Sequence, residues 1–235
     1  MRFLSTLLLF ALFIGNTVAQ EENEANEQTQ VRKMGSFDKV KASKGINVTL
    51  VEGNKESIEI HIRNGELSDV VSSIKSRQLV LKMKTKIYKD MAVQVYVTYN
   101  TIREIEVGSG ASLDADNTIY ADKLKVRAGT DSSVELDVDV NAIEVSGSAS
   151  RVELSGVTKT QEVNMGTGGK YLCYPLECEE TVAKATLGSN VEVNASKKLI
   201  ATAGSGGVVN YKGEPAKIEK KENTGGKVKA YQSEG

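Results

Sequence analysis

Catalysis needs an acid, a base, a nucleophile or a metal ligand held beside a second group, and this sequence supplies few such residues. It has one histidine, His61, in Ile60-His61-Ile62. A single histidine on the outward side of a strand builds neither a catalytic dyad nor a histidine-rich metal site. Two cysteines, Cys173 and Cys178, frame the stretch Cys-Tyr-Pro-Leu-Glu-Cys. In an exported chain such a pair can close a local disulfide, whose effect is to pin the loop, because so short a ring removes little chain entropy. Without histidine neighbours the pair is an incomplete metal site. No Gly-x-Ser-x-Gly elbow stands between a strand and a helix, and Gly108-Ser109-Gly110 is only its nearest mimic. The expectation is therefore no catalytic residue and no cofactor.

Carboxylates form the one surface pattern of interest. Asp114 and Asp116 share a face, as do Glu135, Asp137 and Asp139, and Glu153 follows. If these segments stack, like charges come within about 5 Å, which is unfavourable unless a cation or a basic side chain intervenes. Calcium takes several carboxylate oxygens, so Asp114, Asp116, Asp137 and Asp139 are weak calcium candidates. A solvated face interleaved with residues such as Arg151 explains them more simply, and no metal is expected. The sequence has no tryptophan, and Tyr88, Tyr96, Tyr99 and Tyr120 are scattered, which leaves little of the flat aromatic platform that sugars favour. Tyr171, Tyr174 and Tyr211 fall on later coils, where they could converge or cover core edges. Residues 82–89 (KMKTKIYK) are basic along one strand face, and read as a solvated edge strand or as an attraction for an anionic surface.

What must position all of these is a repeat. Gly-Ser or Gly-Thr pairs recur at Gly108, Gly129, Gly147, Gly166, Gly188 and Gly204, with spacings of 21, 18, 19, 22 and 16 residues. Before them, apolar residues alternate with polar ones, as in Ile105-Glu-Val107, Leu124-Lys-Val126 and Ile143-Glu-Val145. Alternation is the period of a strand with one buried face, and a repeat near twenty residues is the signature of a solenoid. The spacing predicts an all-β parallel β-helix, or β-solenoid, with coils of roughly 19 residues; parallel crossovers make it right-handed. The six glycines are expected to be structural, rounding the corners in left-handed or otherwise strained dihedrals. Ala183, Ala185, Ala201 and Ala203 predict a core that thins toward the C-terminus.

Residues 1–19 read as a signal peptide: Arg2, an apolar run from Leu4 to Ile14, and a small-x-small site at Thr17-Val18-Ala19. The apolar run is shorter than the roughly 20 residues that span a bilayer, so no transmembrane segment is expected in the mature chain. Residues 20–35 are acidic and poor in apolar side chains, which predicts a flexible linker. One solenoid domain is expected over 36–229, and a tail over 230–235. The charge of 30 basic against 31 acidic residues argues against nucleic acid as a partner. The charged KIEKKE of residues 217–222 is expected to blunt the open C-terminal edge.

Phe37-Asp-Lys-Val40 followed by Gly45-Ile46-Asn47-Val48 resembles the opening of the head GIN domain family, auto-transporter adhesins of unassigned function. Val95-Tyr96-Val97-Thr98-Tyr99, the Gly-Ser/Thr repeats, the stretch from Gly207 to Pro215 and Thr224-Gly225-Gly226 continue the likeness, which covers most of residues 36–229. Asn100-Thr101 departs from it, standing where members often carry a proline. The resemblance implies a β-helix-like domain in bacterial envelope or secreted proteins, with no catalytic residues to carry over. Taken together, the expectation is a non-catalytic exported protein of periplasm, cell surface or exterior, adhesin-like, binding a surface polymer or protein. A pectinase-like polysaccharide enzyme is the alternative, although the intervals between strands are too short for groove walls. A lipid- or small-ligand-binding module is a third reading, and would need a dry apolar pocket.

Overall fold

The structure is a computed structural model that describes residues 27–231; the expected signal peptide, residues 20–26 and residues 232–235 lie outside the described residues. Nineteen strands and one short 3-10 turn at Leu67–Asp69 make up its regular structure. The strands wind into a β-solenoid of about seven turns, with coils about 19 residues apart.

Each coil has two long sides and one short side. The first long side stacks β2 (Lys39–Ser43), β8 (Glu104–Gly108), the second halves of β10 (Ile119–Ala128), β11 (Ser133–Ser148), β12 (Arg151–Gly166) and β14 (Leu176–Thr186), then β16 (Lys198–Gly204) and β18 (Lys217–Glu222), all parallel. The second stacks β3 (Asn47–Glu52), β9 (Ser112–Ala115), the first halves of β11 and β12, then β13 (Lys170–Leu172), β15 (Asn190–Asn194), β17 (Val208–Lys212) and β19 (Lys227–Ala230). The short side is the ladder Ile119, Val138, Gly156, Leu176.

Period-2 alternation sets which residues point inward, and the parallel register lines them into columns. One column runs Ile105, Val126, Val145, Val163, Ala183, Ala201. Another runs Val48, Leu113, Val134, Val152, Tyr171, Val191, Val209, Val228. All of these are buried. Ala183 and Ala201 narrow the first column toward the C-terminus. It then ends on Lys220, opposite Ala201, whose ammonium lies over the Tyr211 ring, 3.0 Å from the Tyr211 hydroxyl. An inward charge on the last rung resists the addition of another strand, and β18 around it is exposed at all six positions.

The N-terminal end is built differently. The β2–β3 rung lies between two others, paired in parallel with β8–β9 on one side and with β6 (Gln78–Met83) and β7 (Ala92–Tyr99) on the other. Outside these, β5 (Val70–Lys75) runs antiparallel to β6, and β4 (Ser57–Arg63) antiparallel to β7. Residues expected to be a flexible linker form β1 (Glu27–Lys33), which runs antiparallel along β4. Its polar composition is compatible with an edge strand, because β4 supplies the backbone partners. Arg32 latches it down, donating to Val70 O (2.8 Å), Ser72 Oγ (3.0 Å) and Leu67 O (2.8 Å).

The corners also depart from expectation. Of the six repeat glycines only Gly188 is left-handed; Gly108, Gly129, Gly147, Gly166 and Gly204 sit at or beside strand ends with ordinary dihedrals. The left-handed residues come just after, as in Ser109-Gly110, Thr167-Gly168 and Ser205-Gly206. Two consecutive positive φ values make the type I′ turn whose twist matches right-twisted strands. Crowding singles out one of the five, Gly147; at Gly108, Gly129, Gly166 and Gly204 an added side chain would meet its neighbours only at ordinary contact distance. A side chain at Gly147 would meet Met165 Cε at 2.6 Å and Ser150 Oγ at 2.7 Å.

Candidate functional site

The outward face of the second long side gathers the carboxylates. Tyr96, Thr49 and Asp114 are successive rung neighbours, Glu135 stands opposite Glu153, and Asp137 opposite Ser155. With Asp116, Leu172 and Pro175 they border an open groove of about 610 Å³. The face is already partly compensated. Asp137 accepts hydrogen bonds from Thr118 Oγ1 (2.6 Å) and Ser155 Oγ (2.8 Å), and Arg151 pairs with Glu153. Asp139 is not part of this groove; it lies round the corner on the short side, in a second groove with Asn141, Val157, Glu177 and Cys178. The four calcium candidates are thus divided between two faces, because the strand turns between Asp137 and Asp139. Among the described residues no group of three or more His, Cys, Asp or Glu is arranged to hold a metal ion.

The expected disulfide is not formed: Cys173 and Cys178 are both free and buried. Each is drawn into a different part of the coil. Cys173 Sγ accepts from Leu154 N at 3.1 Å, whereas Cys178 pairs in register with Thr158 and its thiol donates to Glu180 O at 3.1 Å. Between them lies a polar cluster inside the core. The Tyr171 hydroxyl donates to Gln161 Oε1 (3.0 Å), and Gln161 Nε2 donates to Thr181 Oγ1 (2.9 Å) and Asn194 O (3.1 Å). Burial pushes both thiols up, and pushes the Tyr171 phenol well above its ordinary value. A protonated, desolvated thiol is a poor nucleophile. Ellman titration is therefore expected to find almost no reactive thiol in the folded protein and two after denaturation without reductant; none after denaturation would restore the disulfide.

His61 sits on β4 in the antiparallel end layer, edge-on to Tyr96 at 5.5 Å between ring centroids, with Nε2 2.8 Å from Glu59 Oε1. Among the described residues, the hydroxyl that reaches its ring is that of Thr29 on β1, 3.4 Å from Nδ1. The tyrosines do not converge either. Tyr171 is in the core, Tyr174 packs on Tyr231 at 4.9 Å, and Tyr211 sits beneath Lys220.

The profile of one protein family, "Putative auto-transporter adhesin, head GIN domain", matches residues 36–215. The chain belongs to the head GIN domain family. Solved structures share its fold: one named a "putative adhesin", from Bacteroides fragilis NCTC 9343 (19% identity, covering 87% of this chain and 97% of that one, TM-score 0.80), and another of the same name from Parabacteroides merdae ATCC 43184 (19%, 89% and 98%, 0.72). A third, named for lipid binding, is from Parabacteroides distasonis ATCC 8503 (14%, 89% and 98%, 0.69). No curated protein matches the chain. The head GIN profile begins after β1 and stops before β18, so the edge strand and the final charged rung lie beyond it.

The other long face of this head GIN domain carries a charge ladder that the sequence reading missed. Lys39 and Arg127 both pair with Glu104, Lys41 with Glu106 (2.6 Å), and Lys123 and Lys125 with Glu144. Ammonium hydrogen bonds hold the Glu144 carboxyl below its usual range. Opposite signs alternate across rungs here, which only the register reveals. No helix among the described residues is long and apolar enough to cross a membrane.

Proposed function

We propose that this protein is a non-catalytic exported module of the cell envelope or exterior that binds or scaffolds an extended partner, a surface polymer or protein. One observation carries the reading. The second long side repeats the same outward position in register, rung after rung at about 4.8 Å, so Asp114, Glu135 and Glu153 form a linear track of acceptors edged by Thr49 and Tyr96. Such a track suits an extended ligand rich in hydroxyl or amino donors. Stacked carboxylates also repel, so a donor-rich ligand relieves a repulsion already present. The separated positions of His61, the thiols and the carboxylates support binding over hydrolysis.

The test is retention of the protein on isolated cell envelopes and on a panel of purified polysaccharides. Glu135→Gln with Glu153→Gln is expected to weaken retention about ten-fold, from two lost charge-assisted hydrogen bonds, with an unchanged melting temperature. Retention unaffected by that pair would remove the track as the binding face. Release of new reducing ends from a polysaccharide would replace the reading with an enzymatic one. The lipid-binding name of the Parabacteroides distasonis neighbour raises a small-ligand reading. The grooves bordering this chain's outer faces are open, and the aliphatic columns inside are packed to near-zero exposure, which favours a surface binder.

A further inference from the structure

Residues 84–91 join β6 to β7 at the N-terminal end as a loop, where the sequence alone reads as a continuing edge strand. The loop is braced from several sides. Lys84 N donates to Asp69 O (2.9 Å), Lys44 Nζ donates to Thr85 Oγ1 (2.6 Å), and Lys86 Nζ pairs with Asp69 Oδ2 (2.6 Å). The Tyr88 hydroxyl donates to Lys84 O (3.1 Å), and Asn64 Nδ2 donates to Asp90 O (3.0 Å). At the tip of this framework Ile87 is 100% exposed. A lone surface aliphatic is ordinary. Here, though, the bracing holds Ile87 out in water, and Lys44, Lys82, Lys84, Lys86 and Lys89 surround it in sequence or by contact. The acids nearby are Glu66, Asp69 and Asp90, and Asp69 is already paired with Lys86.

We propose that this loop docks the protein on an anionic lipid surface, with Ile87 entering the headgroup boundary and the lysines lying against lipid phosphates. An aliphatic tip ringed by lysines combines the two attractions that hold a peripheral protein at such a surface, apolar burial and charge. The site is distinct from the carboxylate track, and the inference stands whether or not that track binds a polymer. It places the N-terminal end of the solenoid against the lipid and leaves the long faces free.

Co-sedimentation of the purified protein with vesicles of mixed phosphatidylglycerol and phosphatidylcholine, and with pure phosphatidylcholine, tests it. Binding is expected to the mixed vesicles alone, and to fall away at about 0.5 M salt, where the screening length drops to a few ångströms. Lys84→Gln with Lys89→Gln should lower the partition about twenty-five-fold, since each lysine near such a surface contributes about five-fold. Ile87→Ser should lower it a further five- to ten-fold or so through lost apolar burial. These side chains are exposed, so matched melting temperatures will show that the variants fold. Equal binding to neutral vesicles, no binding to anionic ones, or variants that bind like the parent would each overturn the proposal. So would displacement by inorganic phosphate at matched ionic strength, which would make the loop a small-anion site.

Discussion

Gly156→Ala is expected to lower stability by about 3–5 kcal/mol, because two independent penalties fall on one atom. The residue has φ +101°, which alanine adopts only under strain. An added Cβ would also stand 2.1 Å from Val138 O and 3.0 Å from Val138 C and N. Those atoms are backbone of the adjacent rung. Val138 is paired with Ile119 on one side and with Gly156 on the other, so it cannot retreat without breaking the ladder. Gly110→Ala is the control. Its φ is +75° and nothing lies within 4 Å of the new methyl, so only the dihedral strain of about 1–2 kcal/mol remains. Denaturant midpoints of the two variants measure the difference directly. Equal losses would mean that the approach of Val138 to Gly156 does not restrict this corner.

That pair of glycines also shows what the sequence could and could not convey. Gly156 belongs to none of the Gly-Ser or Gly-Thr pairs, so a search for repeats passes over it. The repeat itself was legible, because a coil of fixed length forces apolar residues and corners to recur, and Leu124 does pair with Ile143 at a spacing of 19. The dihedral role assigned to Gly108 and its equivalents was not. A turn of two left-handed residues and a tight rung contact both select glycine, and only coordinates separate them. The insertion of β2–β3 between two later rungs was hidden too, since parallel neighbours far apart in sequence leave no local pattern. Residues 27–33 escaped for a related reason: an edge strand latched by Arg32 needs little apolar surface of its own.

The candidate sites divide along the same line. Asp114, Glu135 and Glu153 were placed on one face by alternation plus the repeat, and they border one groove. Asp139 was grouped with them because the alternation continues through Val138-Asp139-Val140. The chain turns onto the short side at that point without a glycine or proline to mark it, and the carboxylate leaves the face. The spacing of Cys173 and Cys178 cannot tell a loop that closes on itself from one whose two ends point into the core at different parts of the same coil. The charge ladder from Lys39 to Glu144 depends on register between rungs, and register was what the sequence left open.

The polar cluster in the core gives the second large effect. Leu124, Ile143, Gln161, Thr181 and Leu199 form one inward column, so two polar residues interrupt an otherwise aliphatic stack. Gln161 is 2% exposed and Tyr171 is fully buried. Gln161→Leu keeps the volume but removes the acceptor of the Tyr171 hydroxyl and one donor to Asn194 O. The phenol is then left with only the Cys173 sulfur, a weak partner. The loss is expected to be about 2–4 kcal/mol, dominated by the stranded hydroxyl. Adding Tyr171→Phe removes that hydroxyl, while Thr181 Oγ1 still donates to Asn194 O at 3.3 Å. The double variant should therefore be more stable than Gln161→Leu alone by about 1–2 kcal/mol, although Tyr171→Phe by itself destabilises. A double-mutant cycle from urea denaturation measures that reversal of sign. Additive losses would mean that Tyr171 and Gln161 are not hydrogen-bond partners, and that the column tolerates its polar residues for some other reason.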